Sequence, residues 1–458
     1  MEGPPSPKRR RRLLELAVRE EVETALERLP PRAQESVRRA LDQDLEVLSI
    51  GGCNLGSDGA AAAAAVLRHA PKLRKIGLGL NNIGAAGAAA IAAALRDAPN
   101  LEDLNLSGNN TGDAGAEAAA RELRHNPSLE KLYLGSNNMG AAGAGAVGRE
   151  LRHAPRLREL GLGWTGIGTQ GAIAVAMELR HAPKLEKLNL FGNNMGGAGA
   201  EAAARELRHA AHLKSLRMDN NEIGAAGASA LARELRHSNS LEYLDLGDNH
   251  LGDAGATGAA GELSHAPNLR ELVLSQNGIG AAGAEAAARE LRNAGKLERL
   301  YLGINNIGDA GAAALARELR HAPALRDLFL DDNNIGDAGV AALAKELRWA
   351  RHLEKLGLDN NVMDASGERE FAWFLAERPP RRLREINGVS LEDYLDAMQM
   401  RQPDGDGPGD NEEVLTFLRT RRVTALYAFV LCVKKTHVGL YRAREVLQLI
   451  EEFLSYLR

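Results

Sequence analysis

Hydrophobic and polar positions recur along this chain at a fixed spacing. With Leu45 as position 0, leucine returns at Leu73, Leu101, Leu129, Leu157, Leu185, Leu213, Leu241, Leu269, Leu297, Leu325 and Leu353. The interval from Leu45 to Leu73 thus repeats unchanged and defines twelve units. A period of this length points to stacked supersecondary units. Apolar residues at positions 0, 3 and 5 alternate with polar ones, as in Leu101-Glu-Asp-Leu104-Asn-Leu106-Ser-Gly-Asn109, which predicts a short strand with one face inward. Position 8 is Asn in ten units, Cys53 in the first and Thr165 in the fifth. An amide there both donates and accepts, so it can satisfy backbone groups as the chain leaves the strand. Position 14 is Gly in all twelve units, from Gly59 to Gly367, which predicts a helix start lying close against the strand layer. The stretch that follows, such as Ala116 to His125, is rich in strong helix formers, and Leu at position 22 anchors it inward. Arg and His in the last turn suit the negative helix end, and a Pro two residues beyond the His stops continuation.

The motif Leu-x-x-Leu-x-Leu-x-x-Asn, followed by a full Ala-rich helix, resembles the leucine-rich repeats of the ribonuclease-inhibitor-like class, in which Cys is an accepted alternative to Asn. The match spans about three quarters of the chain. The resemblance implies an α/β fold: a right-handed solenoid, or horseshoe, with a parallel sheet on the concave side and helices on the convex side. Helices need roughly 10 Å of spacing and strands about 4.8 Å, which is why the strand side is expected to be the inner one.

Outside the twelve units (45–382) the pattern changes. Residues 1–12 are a basic, Pro-rich tail whose Lys8 to Arg12 run reads as a solvated segment or a nuclear-import signal. Residues 13–44 read as a helical N-terminal cap covering the open edge of the first repeat. Phe371, Trp373 and Phe374 replace Ala and Arg in the last repeat helix, and 383–400 reads as a C-terminal cap. The Pro-, Gly- and Asp-rich stretch 401–413 predicts a flexible linker. Residues 414–458 return to helical patterning, expected to pack on the array or on a partner's helix. Aromatics are only 4% and Gly numbers 49, so the core must be built of closely packed Leu and Ala. The formal charge of −4 gives no global reason to expect nucleic acid. Two cysteines, Cys53 and Cys432, provide no disulfide framework and no thiolate zinc site, which suits a reducing, cytoplasmic setting. The start, Met1-Glu-Gly-Pro-Pro-Ser-Pro-Lys8, leads into Arg9 to Arg12 rather than an apolar stretch, so no secretion signal is expected. The longest apolar run, Val423 to Val433, would reach about 16 Å as a helix and cannot cross a bilayer core of about 30 Å.

The motifs that could carry chemistry have structural explanations. Gly161-Leu-Gly163-Trp-Thr-Gly166 matches a dinucleotide fingerprint, but the repeat frame already accounts for its glycines and no nucleotide-binding domain surrounds it. Histidines at position 24 (His69, His125, His153, His181, His209, His237, His265, His321) would sit roughly 8–10 Å apart on successive helices, too far for one zinc ion. No catalytic, cofactor-binding or metal-binding residues are expected.

The remaining signal is the strand's outward face, positions 1, 2, 4, 6 and 7. Six of the seven aromatics between Leu45 and Met363 fall there, although those positions are 60 of 319. They are Tyr133, Trp164, Phe191, Tyr243, Tyr301 and Phe329; the seventh, Trp349, lies elsewhere. Aromatics favour strands in any case, but beside charged residues they also anchor protein interfaces. The candidate partner-binding set is therefore Tyr133, Trp164, Phe191, Arg217, Tyr243, Tyr301, Asp327, Phe329, Asp331 and Asp359. The aspartates near repeats ten to twelve favour a basic partner. The expected function is a non-enzymatic protein-binding scaffold. A GTPase activator resembling Ran GTPase-activating protein is the alternative, and a NOD-like-receptor-related sensor array the second. The phosphate-binding loop of NOD-like receptors is absent from the sequence, and no catalytic Arg or Asn of the GTPase activator can be matched.

Overall fold

The computed structural model describes residues 20–42, 46–207, 210–377 and 381–399. The basic tail, the linker at 401–413, the segment 414–458, Leu45 and His209 lie outside them. The chain divides into two compact units, one ending at Asn193 and the other beginning at Asn194. Each is built from the same element: a three-residue strand at positions 2–4, a turn, a helix of ten to thirteen residues, and a return loop.

In the first unit, residues 20–27 are helical and the helix Pro31–Asp42 follows, with Pro31 at its first position, where its missing N–H costs nothing. Strands run from Val47–Ser49 in repeat one to Lys187–Asn189 in repeat six. All pair in parallel with a shift of one repeat, so Leu48 faces Ile76 and Leu104 faces Leu132. In the second unit the same register runs from Ser215–Arg217 to Lys355–Gly357. There Lys355 and Leu356 pair with Glu385 and Ile386. The chain then turns through Asn387 and Gly388 at positive φ and comes back antiparallel, Ile386 against Val389. The alternation of parallel strands and helices is that of an α/β repeat solenoid, the fold class expected from the sequence.

The period-2 strand and the helix face share one core. Position-3 and position-5 residues such as Leu104, Leu106, Leu300 and Leu302 are buried, as are the position-22 leucines Leu123 and Leu319. Each such side chain contributes about 1.5–3 kcal/mol by leaving water. The Asn ladder closes the turn after each strand. Asn109 Nδ2 donates to Leu78 O at 3.0 Å and Leu106 O at 2.9 Å, while its Oδ1 accepts from the Asn81 N–H at 2.9 Å. One amide thus serves its own repeat and the preceding one.

Thr165 breaks this ladder. Its Oγ1 lies 2.7 Å from Leu162 O and 2.9 Å from Asn193 Oδ1, but a hydroxyl has one proton and can donate to only one of them. Thr165→Asn is therefore expected to stabilise the protein by about 0.5–1.5 kcal/mol per recovered bond, read as a higher denaturation midpoint. A lower midpoint would mean that repeat five has packed around the smaller side chain.

The position-14 glycines correct the expectation that they face the strand layer. A Cβ on Gly87 would lie 2.8 Å from Ala60 Cβ on the preceding helix and 2.8 Å from the position-10 residue Ile83. What the glycine permits is close approach of successive helix starts. In several repeats the helix start is also capped from its neighbour. Asp113 accepts from the Gly140 and Gly143 N–H groups at 2.8 and 2.6 Å, and Asp253 and Asp309 serve Gly280 and Gly336 in the same way, each at 2.6 Å.

Candidate functional site

Within each unit, the repeat frame brings positions 1, 2, 4, 6 and 7 of successive repeats side by side on the face opposite the core. Much of the charge on this face is spent internally. At position 1, Arg158 sits between Glu130 at 3.8 Å and Glu186 at 2.8 Å, and Arg270 lies between Glu242 and Glu298. At position 2, Lys131 and Lys187 flank Glu159 at 3.1 and 3.2 Å, Arg299 pairs with Glu271 at 2.6 Å, and Lys355 with Glu385 at 2.7 Å. These partly exposed pairs add little stability singly but fix side-chain positions along the face.

The aromatic rings lie down rather than stand up, and in most cases they lie over glycine. The Tyr133 ring covers Gly161, Phe191 covers Gly163, Trp164 covers Gly192 and Phe329 covers Gly357; a Cβ at any of these glycines would come within 2.2–2.8 Å of a ring atom. Trp164 itself has φ +54, a backbone that non-Gly residues seldom adopt.

Three clusters result. In the first unit the Tyr133 hydroxyl donates to Glu159 Oε2 at 2.5 Å. Burial and the Glu159 carboxylate push the phenol far up from its usual range. Burial would raise Glu159 as well, but the bonds from Tyr133, Lys131 and Lys187 outweigh it and hold the carboxyl below its ordinary value. Trp164 meets Phe191 edge to face, with centroids 5.7 Å apart. Phe191 is only 6% exposed, which corrects the expectation of an accessible ring there. Trp164 is its half-exposed cover.

The second cluster, in repeats seven and eight, joins Arg217 and Tyr243 through two carboxylates that the sequence-based set omitted. Arg217 Nη2 lies 3.1 Å from Asp219 Oδ2 and Nε 3.5 Å from Asp245 Oδ2, and the Tyr243 hydroxyl donates to Asp245 Oδ2 at 3.1 Å. Asp245 Oδ1 also accepts from the Gly247 N–H at 3.0 Å. The signal was available, since Asp245 occupies position 4 beside Arg217 on the adjacent strand. Burial first, and Asp245 second, push the Asp219 carboxyl up to about 7 against the pull of Arg217. A carboxyl raised above its unfolded value of 3.8 favours the folded state when protonated, so its contribution falls as pH climbs from about 4 to 7. Asp219→Asn is expected to flatten that part of the stability profile in urea titrations at pH 5 and pH 8. An unchanged slope between the two would show that Asp219 is ionised throughout.

The third cluster stacks Tyr301 on Phe329, with centroids 4.6 Å apart and planes within 10°. Both rings are half-buried. Tyr301 is pushed up to about 12, by burial and then by Glu271. Asp327 stands 3.9 Å from Arg299, so its charge is partly met within the protein. Asp331 Oδ1 accepts from the Asp359 N–H at 2.9 Å, and both aspartates are half-buried. Trp349 lies off this face, at the end of the repeat-eleven helix, with the Arg348 guanidinium 4.9 Å from its ring centre. The position-24 histidines are spent locally, as where His153, His181 and His237 accept from the preceding arginine at 3.1–3.3 Å. Among the described residues no three His, Cys, Asp or Glu side chains converge as a metal site would require, and no helix is long and apolar enough to cross a membrane.

Comparison with curated proteins finds no match. Several solved structures are similar. An internalin from Listeria monocytogenes is 18% identical, with 78% of this chain and 94% of that one covered and a TM-score of 0.38. A leucine-rich-repeat protein of Leptospira interrogans is 17% identical, with 74% and 97% covered and a TM-score of 0.40. The plant peptide hormone receptor RGFR1, solved in complex with RGF2, is 18% identical; 71% of this chain and 48% of the receptor are covered, with a TM-score of 0.40. The model for "Leucine Rich repeat" matches ten segments: 42–62, 69–92, 97–118, 125–148, 181–202, 209–232, 237–258, 265–286, 296–316 and 321–344. Its one skipped repeat between 42 and 344 is the fifth, where Trp164 and Thr165 replace the usual turn residues. With ten matched segments on the strand–turn–helix frame, the chain is a leucine-rich-repeat protein.

Proposed function

We propose that this protein is a non-enzymatic scaffold of the ribonuclease-inhibitor-like class that binds a partner protein on its strand face. Leucine-rich-repeat proteins typically serve as protein–protein interaction scaffolds. The observation that carries the reading is the arrangement of Tyr133, Trp164, Tyr301 and Phe329, rings held flat by the glycine or ring beside them and left half-exposed. Rings already ordered lose little conformational freedom on binding, and aromatic side chains dominate the energetics of protein interfaces. Arg217 and Tyr243, fixed by Asp219 and Asp245, supply a polar station on the strand face of the second unit.

The double variant Tyr301→Ala/Phe329→Ala tests this reading. It should weaken a captured partner by about 2 kcal/mol or more. It should change folding stability by less than the roughly 2–5 kcal/mol of a core truncation, since both rings are half-exposed. Undiminished binding would remove these rings from the interface.

A further inference from the structure

The strand face of repeats ten to twelve carries an apolar platform next to two carboxylates that no cation among the described residues satisfies. The platform is the Tyr301–Phe329 stack, and Ile304 lies in the turn just after the strand Arg299–Tyr301. Ile304 is 55% exposed and sits at φ +56, a strained backbone for a β-branched residue. Its backbone N–H donates to Asp331 O at 2.8 Å, which ties the turn of repeat ten to that of repeat eleven.

Asp331 and Asp332 edge this platform. Asp331 Oδ2 and Phe329 Cδ1 lie 2.7 and 2.8 Å from the point a Cβ on Gly357 would occupy, so carboxylate and ring edge border the same small space. The absent side chain at Gly357 is what lets both lean over it. Among the described residues neither aspartate forms an ion pair: Asp331 accepts from the Asp359 N–H, and Asp332 from Asn360 Nδ2 at 3.2 Å. Positions 6 and 7 of repeats nine to twelve contain no Lys or Arg, and the nearby cations Arg299 and Lys355 are held by Glu271 and Glu385. Burial, with Asp332 beside it, holds the Asp331 carboxyl above its ordinary value against the pull of the Asp359 N–H and its own backbone N–H.

We infer that this patch takes an arginine side chain from an extended segment of the partner, its planar guanidinium against the exposed ring surface of the Tyr301–Phe329 stack, its N–H groups donating to Asp331 and Asp332, and its stem against Ile304. A guanidinium stacks on aromatic rings and donates to carboxylates at once, which a lysine ammonium does with less geometric fit. The inference rests on the strand-face reading and adds the chemistry of the occupant.

The test is selection from a displayed library of random dodecapeptides against the full chain. Enriched peptides are expected to contain arginine, and a synthetic representative should lose at least tenfold in affinity on Asp331→Asn/Asp332→Asn and on Tyr301→Ala/Phe329→Ala. Asparagine keeps the acceptor for the Asp359 N–H, and an unchanged melting curve establishes that the variant is folded. Replacing the peptide arginine by lysine should cost several-fold. If the ring variant loses binding while the carboxylate variant does not, or loses binding of enriched peptides that lack arginine, the arginine inference fails and the strand-face reading stands. If neither variant changes binding, or nothing is enriched, both fail.

Discussion

Replacing Asn249 by alanine is expected to destabilise the protein by about 3 kcal/mol. This amide is fully buried and serves two repeats at once. Its Oδ1 accepts from the Asn221 and Ile223 N–H groups at 2.9 and 3.3 Å, and its two Nδ2 protons are shared among Met218 O, Leu246 O and Gly247 O at 2.9, 3.1 and 3.0 Å. Alanine leaves those groups unpaired beneath a packed turn, and each such buried group costs roughly 1–3 kcal/mol. Because a repeat array holds together through neighbour contacts, the damage should centre on repeats seven and eight. Denaturant titration should show the lower midpoint, and hydrogen exchange should show faster exchange at Asn221 and Ile223. An unchanged midpoint would contradict the role given to the ladder.

Gly227→Val should cost about as much, about 3 kcal/mol, at the upper end for overpacking. A Cβ there would fall 2.4 Å from Gly197 Cα and 2.9 Å from Ile223 Cγ2. The nearer contact is backbone and cannot swing aside, so the helices Gly196–Leu207 and Gly224–Leu235 would have to separate. Gly295 provides the control. A Cβ on it meets nothing within 4 Å, so Gly295→Ala should alter stability by less than about 0.5 kcal/mol. Comparable losses in the two variants would mean that glycine content itself, not close approach, sets the effect.

The fold was legible because its determinants are local and repeated. Leucines at positions 0, 3 and 5 alternate with the strand's period, and one buried amide per unit marks the turn. The neighbour of the position-14 glycines is not legible in the same way. A sequence shows that a side chain is missing, but not whether the preceding helix or the strand layer occupies the space, and Ala60 against Gly87 shows it is the helix. The candidate site was legible in its positions and not in its postures. Phe191 occupies an outward position yet is buried, because Gly163 in the turn of the preceding repeat leaves room for its ring and Trp164 closes over it. The pairing of a ring with a glycine at the same position of the next repeat, as in Tyr133 with Gly161 or Phe329 with Gly357, was present in the sequence and would have predicted rings lying flat. Asp219 and Asp245 are harder to read, because a carboxylate on an outward position reads as solvated until the register sets Arg217 between the two.

Site-specific photo-crosslinking tests the strand-face claim most directly. A benzophenone side chain would replace Ile304 on the strand face and, in a second variant, the exposed Lys345 on the helix of repeat eleven. The account predicts a crosslinked product of defined mass from position 304, suppressed by Tyr301→Ala/Phe329→Ala, and none from position 345. A product from position 345 with none from 304 would place the partner on the helices and contradict it.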